Sequence, residues 1–223
     1  METIRSVHKD WTCLMTNIGA PGTVSRDWWD IISRRYGEEW RFYHTLSHIH
    51  HMLQLYHQWK ERIAECSVVA LAIFFHDVVY DPQAKNNETQ SIALFEKFAL
   101  DAQLEDDIVS RVSHLIKCTI SHVIDSDTDD LDLSLFLDFD LAVLGQDSRS
   151  YKRYAEAIRK EYIHVDDKSY RKGRTKVLRS LLDSPSLFAS EEFRAEYEEK
   201  ARANMLEEID FLATETSNLL QMC

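Results

Sequence analysis

Apolar residues recur at intervals of three and four along most of the 223-residue chain, the period of helices with one buried face. The pattern breaks only briefly, at Gly19–Gly22, Asp81–Asn87, Asp125–Asp130 and Asp183–Ser186. Between the breaks it predicts helices over 5–17, 25–36, 44–61, 67–80, 88–101, 104–122, 131–145, 148–164, 170–183 and 190–220. No stretch alternates as a half-buried strand does. The expectation is an all-α chain. With no internal repeat and no long linker, one domain over residues 1–223 is expected.

One of these segments lacks a polar face. Val68 to Phe75 is apolar all round and predicts a central buried helix, and it leads directly into His76-Asp77. A buried carboxylate needs a compensating cation, yet no Lys or Arg falls between Arg62 and Lys85. A metal ion held by His76 and Asp77 meets that need. A His–Asp pair satisfying itself at a helix end is the alternative.

Helical phase sorts the other candidates. Five of the ten histidines lie within residues 44–57. On a helix there, Ile49, Met52, Leu55, Tyr56 and Trp59 define one arc. His48 falls inside it, His44 and His51 at its edge, and His50 and His57 on the polar side. A second candidate stretch runs from Leu131 to Leu144. There Asp140 shares the phase of Leu133, Phe136, Leu137, Val143 and Leu144, whereas Asp138 is about 160° away. Asp140 is therefore expected to face inward and Asp138 to take a surface or capping role. On the 104–122 helix, His122 lies at the margin of the inner face and His114 faces away. His122 could ligate, touch substrate or satisfy a terminal carbonyl.

Composition narrows the chemistry. Gly is 5 and Pro is 3, well below the about 7% and 5% of average chains, in keeping with helices. Asp and Glu outnumber Lys and Arg 38 to 26, a net charge of −12. Such a chain repels phosphate polymers, so nucleic acid and anionic membranes are poor partners. No apolar run approaches the ~20 residues of a membrane span. Cys13, Cys66, Cys118 and Cys223 are far apart and form no CxxC pair, which suits reduced thiols and a cytoplasmic location. The acidic loop DSDTDD at 125–130 fails as an EF-hand, having Asp130 at the sixth position and Phe136 at the twelfth.

The set His48, His76-Asp77 and Asp140 on three helices resembles the HD superfamily of metal-dependent phosphohydrolases. FYHTLSHI, LAIFFHDVVYDP, NNETQSIALF, LDFDLAVLG, IRKEY, GRTKVLRSLL and ARANMLEEI further resemble its predicted metal-dependent HD phosphohydrolase branch, over about residues 28–210. The resemblance implies an HD-type bundle with a core of about 28–145 and a C-terminal helical extension of about 148–220. It also implies His48, His76, Asp77 and Asp140 as metal ligands. The Tyr43-His44-x-x-x-His48 spacing is similar to the histidine pair of cyclic nucleotide phosphodiesterases, which implies His44 as the general acid. Thr45 stands where that family usually has asparagine.

Two imidazoles and two carboxylates suit a divalent ion among Mn, Fe, Co, Ni, Zn and Mg. Such an ion would activate water for attack on a phosphoryl group, with Asp77 orienting the water and His44 protonating the leaving oxygen. The expected partner is a small phosphorylated substrate, a phosphomonoester or phosphodiester, nucleotides included. Arg159 and Arg174 are candidate phosphate contacts, with solvated faces or ion pairs as the alternative. His122 and Glu88 are candidate pocket residues, although Asn87 with Gln90 equally makes a helix cap. Two other readings remain: an HD-fold di-iron oxygenase drawing on His114 and His122, and a non-catalytic module whose metal is structural or absent.

Overall fold

The computed structural model describes residues 2–122 and 129–220, with side chains to 214. All regular structure among them is helical. The contacts divide the chain into two units, Met1–Phe139 and Asp140–Cys223.

In the first unit α1 (Glu2–Asn17), α2 (Gly22–Arg35), α3 (Leu46–Trp59), α4 (Cys66–Phe75), α5 (Asn87–Ala102) and α6 (Asp106–Cys118) follow one another, and α7 (Leu131–Leu141) belongs to it through Phe139. α4 is the centre, packed against α1, α3, α5 and α6. Every residue from Val68 to Phe75 is buried, as an apolar surface on all sides requires. Around its end Trp11, Trp28, Phe74, Phe75, Phe95 and Phe98 form an aromatic cluster, with edge-on pairs such as Trp11–Phe74 at 5.2 Å and Trp28–Phe98 at 5.4 Å. Both indoles also find acceptors, Trp11 Nε1 in the Ser25 carbonyl (2.8 Å) and Trp28 Nε1 in Asp101 (2.9 Å). Cluster and hydrogen bonds together fix α1, α2 and α5 around α4.

α7 closes this unit and anchors the start of α4. Asp132 is buried and accepts from the backbone amides of Ala64 (2.9 Å) and Glu65 (2.7 Å). The N-cap residue of α4, Glu65, makes no side-chain cap bond, its carboxylate accepting from Arg111 instead. A carboxylate from another helix therefore caps α4, where amides and dipole favour negative charge.

The second unit holds a 3₁₀ turn (Ala142–Gly145), α8 (Ser148–Glu161), α9 (Asp167–Leu182) and a final helix, α10. α10 begins as Glu191–Phe193, widens through a π turn at Arg194–Glu198 and continues as Glu199–Leu220. Asp147 and Asp166 cap α8 and α9. The interior carries a polar network: Arg174 makes two bonds to Glu208 (2.8 and 3.1 Å), which also accepts from the Tyr151 hydroxyl (2.6 Å). Burial and that carboxylate push the Tyr151 phenol upward. Asn204 donates to the carbonyls of Leu144 and Gln146, both at 2.9 Å.

All ten expected helices are present, but several end elsewhere. α4 stops at Phe75 rather than 80, α3 starts at Leu46 rather than 44, and α6 stops at Cys118 rather than 122. Of the acidic loop 125–130, residues 125–128 lie outside the described residues, while Asp130 pairs with Arg111 at 2.6 Å. No helix of the described residues is long and apolar enough to cross a membrane. Cys13, Cys66 and Cys118 are free thiols, and Cys223 lies outside the described residues.

Candidate metal centre

α3 and the end of α4 bring three side chains to one point. His48, on the inner face of α3, and His76, the residue after α4, are buried, and Asp77 is half-buried. His48 Nε2 lies 3.2 Å from His76 Nε2, and His76 Nε2 lies 3.1 Å from Asp77 Oδ2. One ligand atom from each of the three falls within 4.8 Å of the others.

These separations can be tested against an ion. Metal–ligand bonds of about 2.0–2.2 Å put neighbouring ligand atoms roughly 3.0 Å apart at 90° and about 3.4 Å apart at tetrahedral angles. The measured 3.1 and 3.2 Å fall in that span. The chemistry fits as well. His76 Nδ1 lies 3.0 Å from the Ile73 carbonyl; donating there leaves the Nε2 lone pair for the cluster. The donor set therefore fits a divalent ion.

His44 stands beside this group but not on the helix. α3 begins with Thr45 as N-cap, its hydroxyl accepting from Ser47 N (3.2 Å), in an extended conformation that leaves His44 in the preceding turn. The His44 ring stacks on Tyr80 at 4.1 Å, and its Nε2 lies 4.0 Å from Asp77 Oδ2. His44 reaches the cluster from the loop, not through the i,i+4 register expected on a helix.

Three tethers hold the chain at Asp77 and just beyond it. Ser91, fully buried on α5, accepts from Val79 N (3.1 Å) and donates to Val79 O (3.3 Å). Asn87 brackets Asp81, accepting from its amide (3.1 Å) and donating to its carbonyl (2.9 Å). Asn86, not Asn87, occupies the N-cap position of α5, and its side chain makes no cap bond; the NNETQS stretch thus fixes the turn after His76-Asp77. The third tether is Arg41, which donates to the carbonyls of His44, Asp77 and Val78. Sequence reasoning missed Arg41, which stands 36 residues before Asp77 and binds its backbone carbonyl rather than its carboxylate. The available signal was an arginine between aromatic residues, Trp40-Arg41-Phe42-Tyr43, just before His44.

The remaining candidates are placed as follows. On α7 the expected facing is corrected: Asp138 is 1% exposed, and Asp140 is half-buried at the opening of the second unit. α7 is buried on all sides from Asp132 to Phe139, so apolar phase does not separate inside from outside there. Phe136 meets the His76 ring edge-on at 6.0 Å, and Asp140 follows it by four residues, on the same helix face. His122 falls beyond α6 in a left-handed conformation, φ 51°, so the helical phase assigned to it does not apply. His114 is exposed and 3.8 Å from Cys118 Sγ. His57 is exposed and meets Asp10 at 3.0 Å, whereas His50 is half-buried, against expectation. Glu88 is half-buried in the first turn of α5.

In the second unit the two candidate phosphate contacts have internal partners. Arg174 is buried against Glu208. Arg159 donates to the carbonyls of Tyr162 and Val165 beyond α8 and lies over the Tyr170 ring at 4.5 Å. A cavity of about 660 Å³ lies in this unit, lined by α8, α9 and α10 with Tyr151, Arg159, Tyr170 and Phe211 in its wall.

Fold and site together define an all-α protein with a His–His–Asp group whose two histidines are buried and whose aspartate is half-buried. Comparison with protein-family models, curated proteins and solved structures yields no match.

Proposed function

We propose that the chain is a metal-dependent phosphohydrolase of the HD type, acting on a small phosphomonoester or phosphodiester, nucleotides included. The observation that carries this reading is the convergence of His48, His76 and Asp77, one ligand atom from each lying within 4.8 Å of the others. His48, His76 and Asp77 would hold a divalent ion of the Mn, Fe, Co, Ni, Zn or Mg group. Asp140, which stands outside that converging group, is proposed as the fourth ligand on the family resemblance of the LDFDLAVLG stretch. The free thiols suit a cytoplasmic setting.

When bound, the ion supplies positive charge for the phosphoryl oxygens and a water of lowered pKa. The protein's own groups do the rest. The His76 ring is oriented by the Ile73 carbonyl. Asp77 is half-buried and open enough to accept a hydrogen bond from an attacking water and aim it. His44, stacked on Tyr80 and 4.0 Å from Asp77, would hold a proton at Nε2 and give it to the departing oxygen, a role worth ~10²–10⁴-fold. Arg174 has no part in the proposal, because its charge is already neutralised by Glu208.

Metal analysis of the purified protein followed by a phosphoester panel (nucleoside monophosphates, cyclic nucleotides, sugar phosphates) tests the reading. His48→Ala and Asp77→Ala should lose both metal and turnover, and His44→Ala should lose turnover alone. Variants that bind metal and hydrolyse like the parent would sink it. Two irons per chain with oxygen-dependent chemistry would replace it with the oxygenase.

A further inference from the structure

The Arg41 side chain is completely buried, and its guanidinium is occupied on every side. Nη1 donates to two carbonyls from distant parts of the chain, His44 (3.2 Å) and Asp77 (2.7 Å). Nη2 donates to Val78 O (3.1 Å) and Nε to Glu38 (3.0 Å). Its faces are covered by Tyr36 at 5.0 Å and Tyr80 at 5.5 Å. Tyr80 is the ring on which His44 stacks, and its own carbonyl is tied down by Trp40 Nε1 at 2.8 Å.

A buried arginine is commonly satisfied by one bidentate carboxylate. This one spends one donor on Glu38, which Arg35 also neutralises at 3.1 Å, and the rest on backbone carbonyls. The planar fork of a guanidinium can serve the loop before α3 and the turn after α4 at once, and an ammonium cannot. We infer that Arg41 is a positioning residue: it locks the loop bearing His44 to the turn bearing Asp77 and so sets the spacing of proton donor and metal ligand. This inference rests on the phosphohydrolase reading for its effect on turnover, but not for its effect on the two loops. The 4.0 Å between His44 Nε2 and Asp77 Oδ2 is the distance it controls. Misplacement of a reacting group by about 1 Å can cost ~10²-fold in rate.

The test uses the full chain with Arg41→Lys and Arg41→Met, and Glu38→Gln as the control that leaves the three carbonyl bonds intact. Backbone hydrogen exchange should quicken by about tenfold or more in residues 42–47 and 76–81 together, with α5 and α6 unchanged. In Arg41→Lys, kcat toward the best substrate of the panel should fall by roughly 10–100-fold, with KM within about threefold. Glu38→Gln should do neither. Exchange that quickens in one segment only, or uniformly along the chain, overturns the inference, and so does a kcat within about threefold of the parent. Should the parent hydrolyse nothing, the phosphohydrolase reading falls and the exchange data alone judge Arg41. Should Arg41→Met fail to fold, Arg41→Lys carries the same test.

Discussion

Replacing Asp132 by alanine separates the scaffold from the site. Its two oxygens each accept one backbone amide, at 2.9 and 2.7 Å, ahead of α4. Hydrogen bonds to a charged group are worth about 1.5–3 kcal/mol each, and loss of a helix cap costs about 0.5–2 kcal/mol. Ala64 and Glu65 are exposed, so water recovers part of the loss. The expected cost of Asp132→Ala is therefore about 2–3 kcal/mol, or a Tm lower by roughly 4–12 °C for a chain of this length. Asp132→Asn should recover less than half, because its amide NH₂ would face a backbone N–H, donor against donor. All five tryptophans (Trp11, Trp28, Trp29, Trp40 and Trp59) lie in the first unit, so urea unfolding followed by their fluorescence reports on that unit. The ten residues of α4 separate the cap from His76 by about 15 Å, and metal affinity should be unchanged. A loss below about 0.5 kcal/mol, or an asparagine variant as stable as the parent, refutes the capping argument.

Three further outcomes are expected. At a metal concentration of 100 times Kd, binding to the folded state alone adds about 2.7 kcal/mol, a rise in Tm of roughly 5–11 °C; chelator should reverse the rise, and His48→Ala should lack it. Burial works against the Asp130 carboxylate, but the Arg111 guanidinium and the Leu133 amide hold its pKa below the usual value. Its stabilising effect is therefore present above the unfolded carboxylate pKa of about 3.9 and is lost as pH falls through the lower folded value. Asp130→Asn keeps a cap acceptor but should cost up to about 1 kcal/mol at pH 7, as partly exposed pairs do, and that difference should shrink steadily in urea titrations as pH falls below about 3.9. A methyl group on Gly145 would lie 2.6 to 2.9 Å from the Cβ, carbonyl oxygen and Cα of Tyr197. Gly145→Ala should therefore cost about 1–3 kcal/mol through overpacking, read as an earlier midpoint in a circular dichroism melt.

The order of helices, the central place of α4 and the burial of His48 follow from the sequence alone. The reason is local: a 3.6-residue period turns composition into a face, and an all-apolar segment has nowhere to go but the middle. Where the helices stop was not local. The carbonyls of Asp77 and Val78 are taken by Arg41 and the backbone of Val79 by Ser91, so the chain can leave the helix at His76 without orphaned groups. Phase extrapolated through that point, or through Thr45 and Cys118, describes a helix that is no longer there, which is why His44 and His122 sit elsewhere than expected. Phase also failed on α7, where both faces are buried and Asp138 is as enclosed as its apolar neighbours. Arg41 is the clearest case of what tertiary structure alone decided. It lies 36 residues before Asp77 and meets that residue's backbone carbonyl, not its carboxylate, and only the folded chain puts its guanidinium between the two loops.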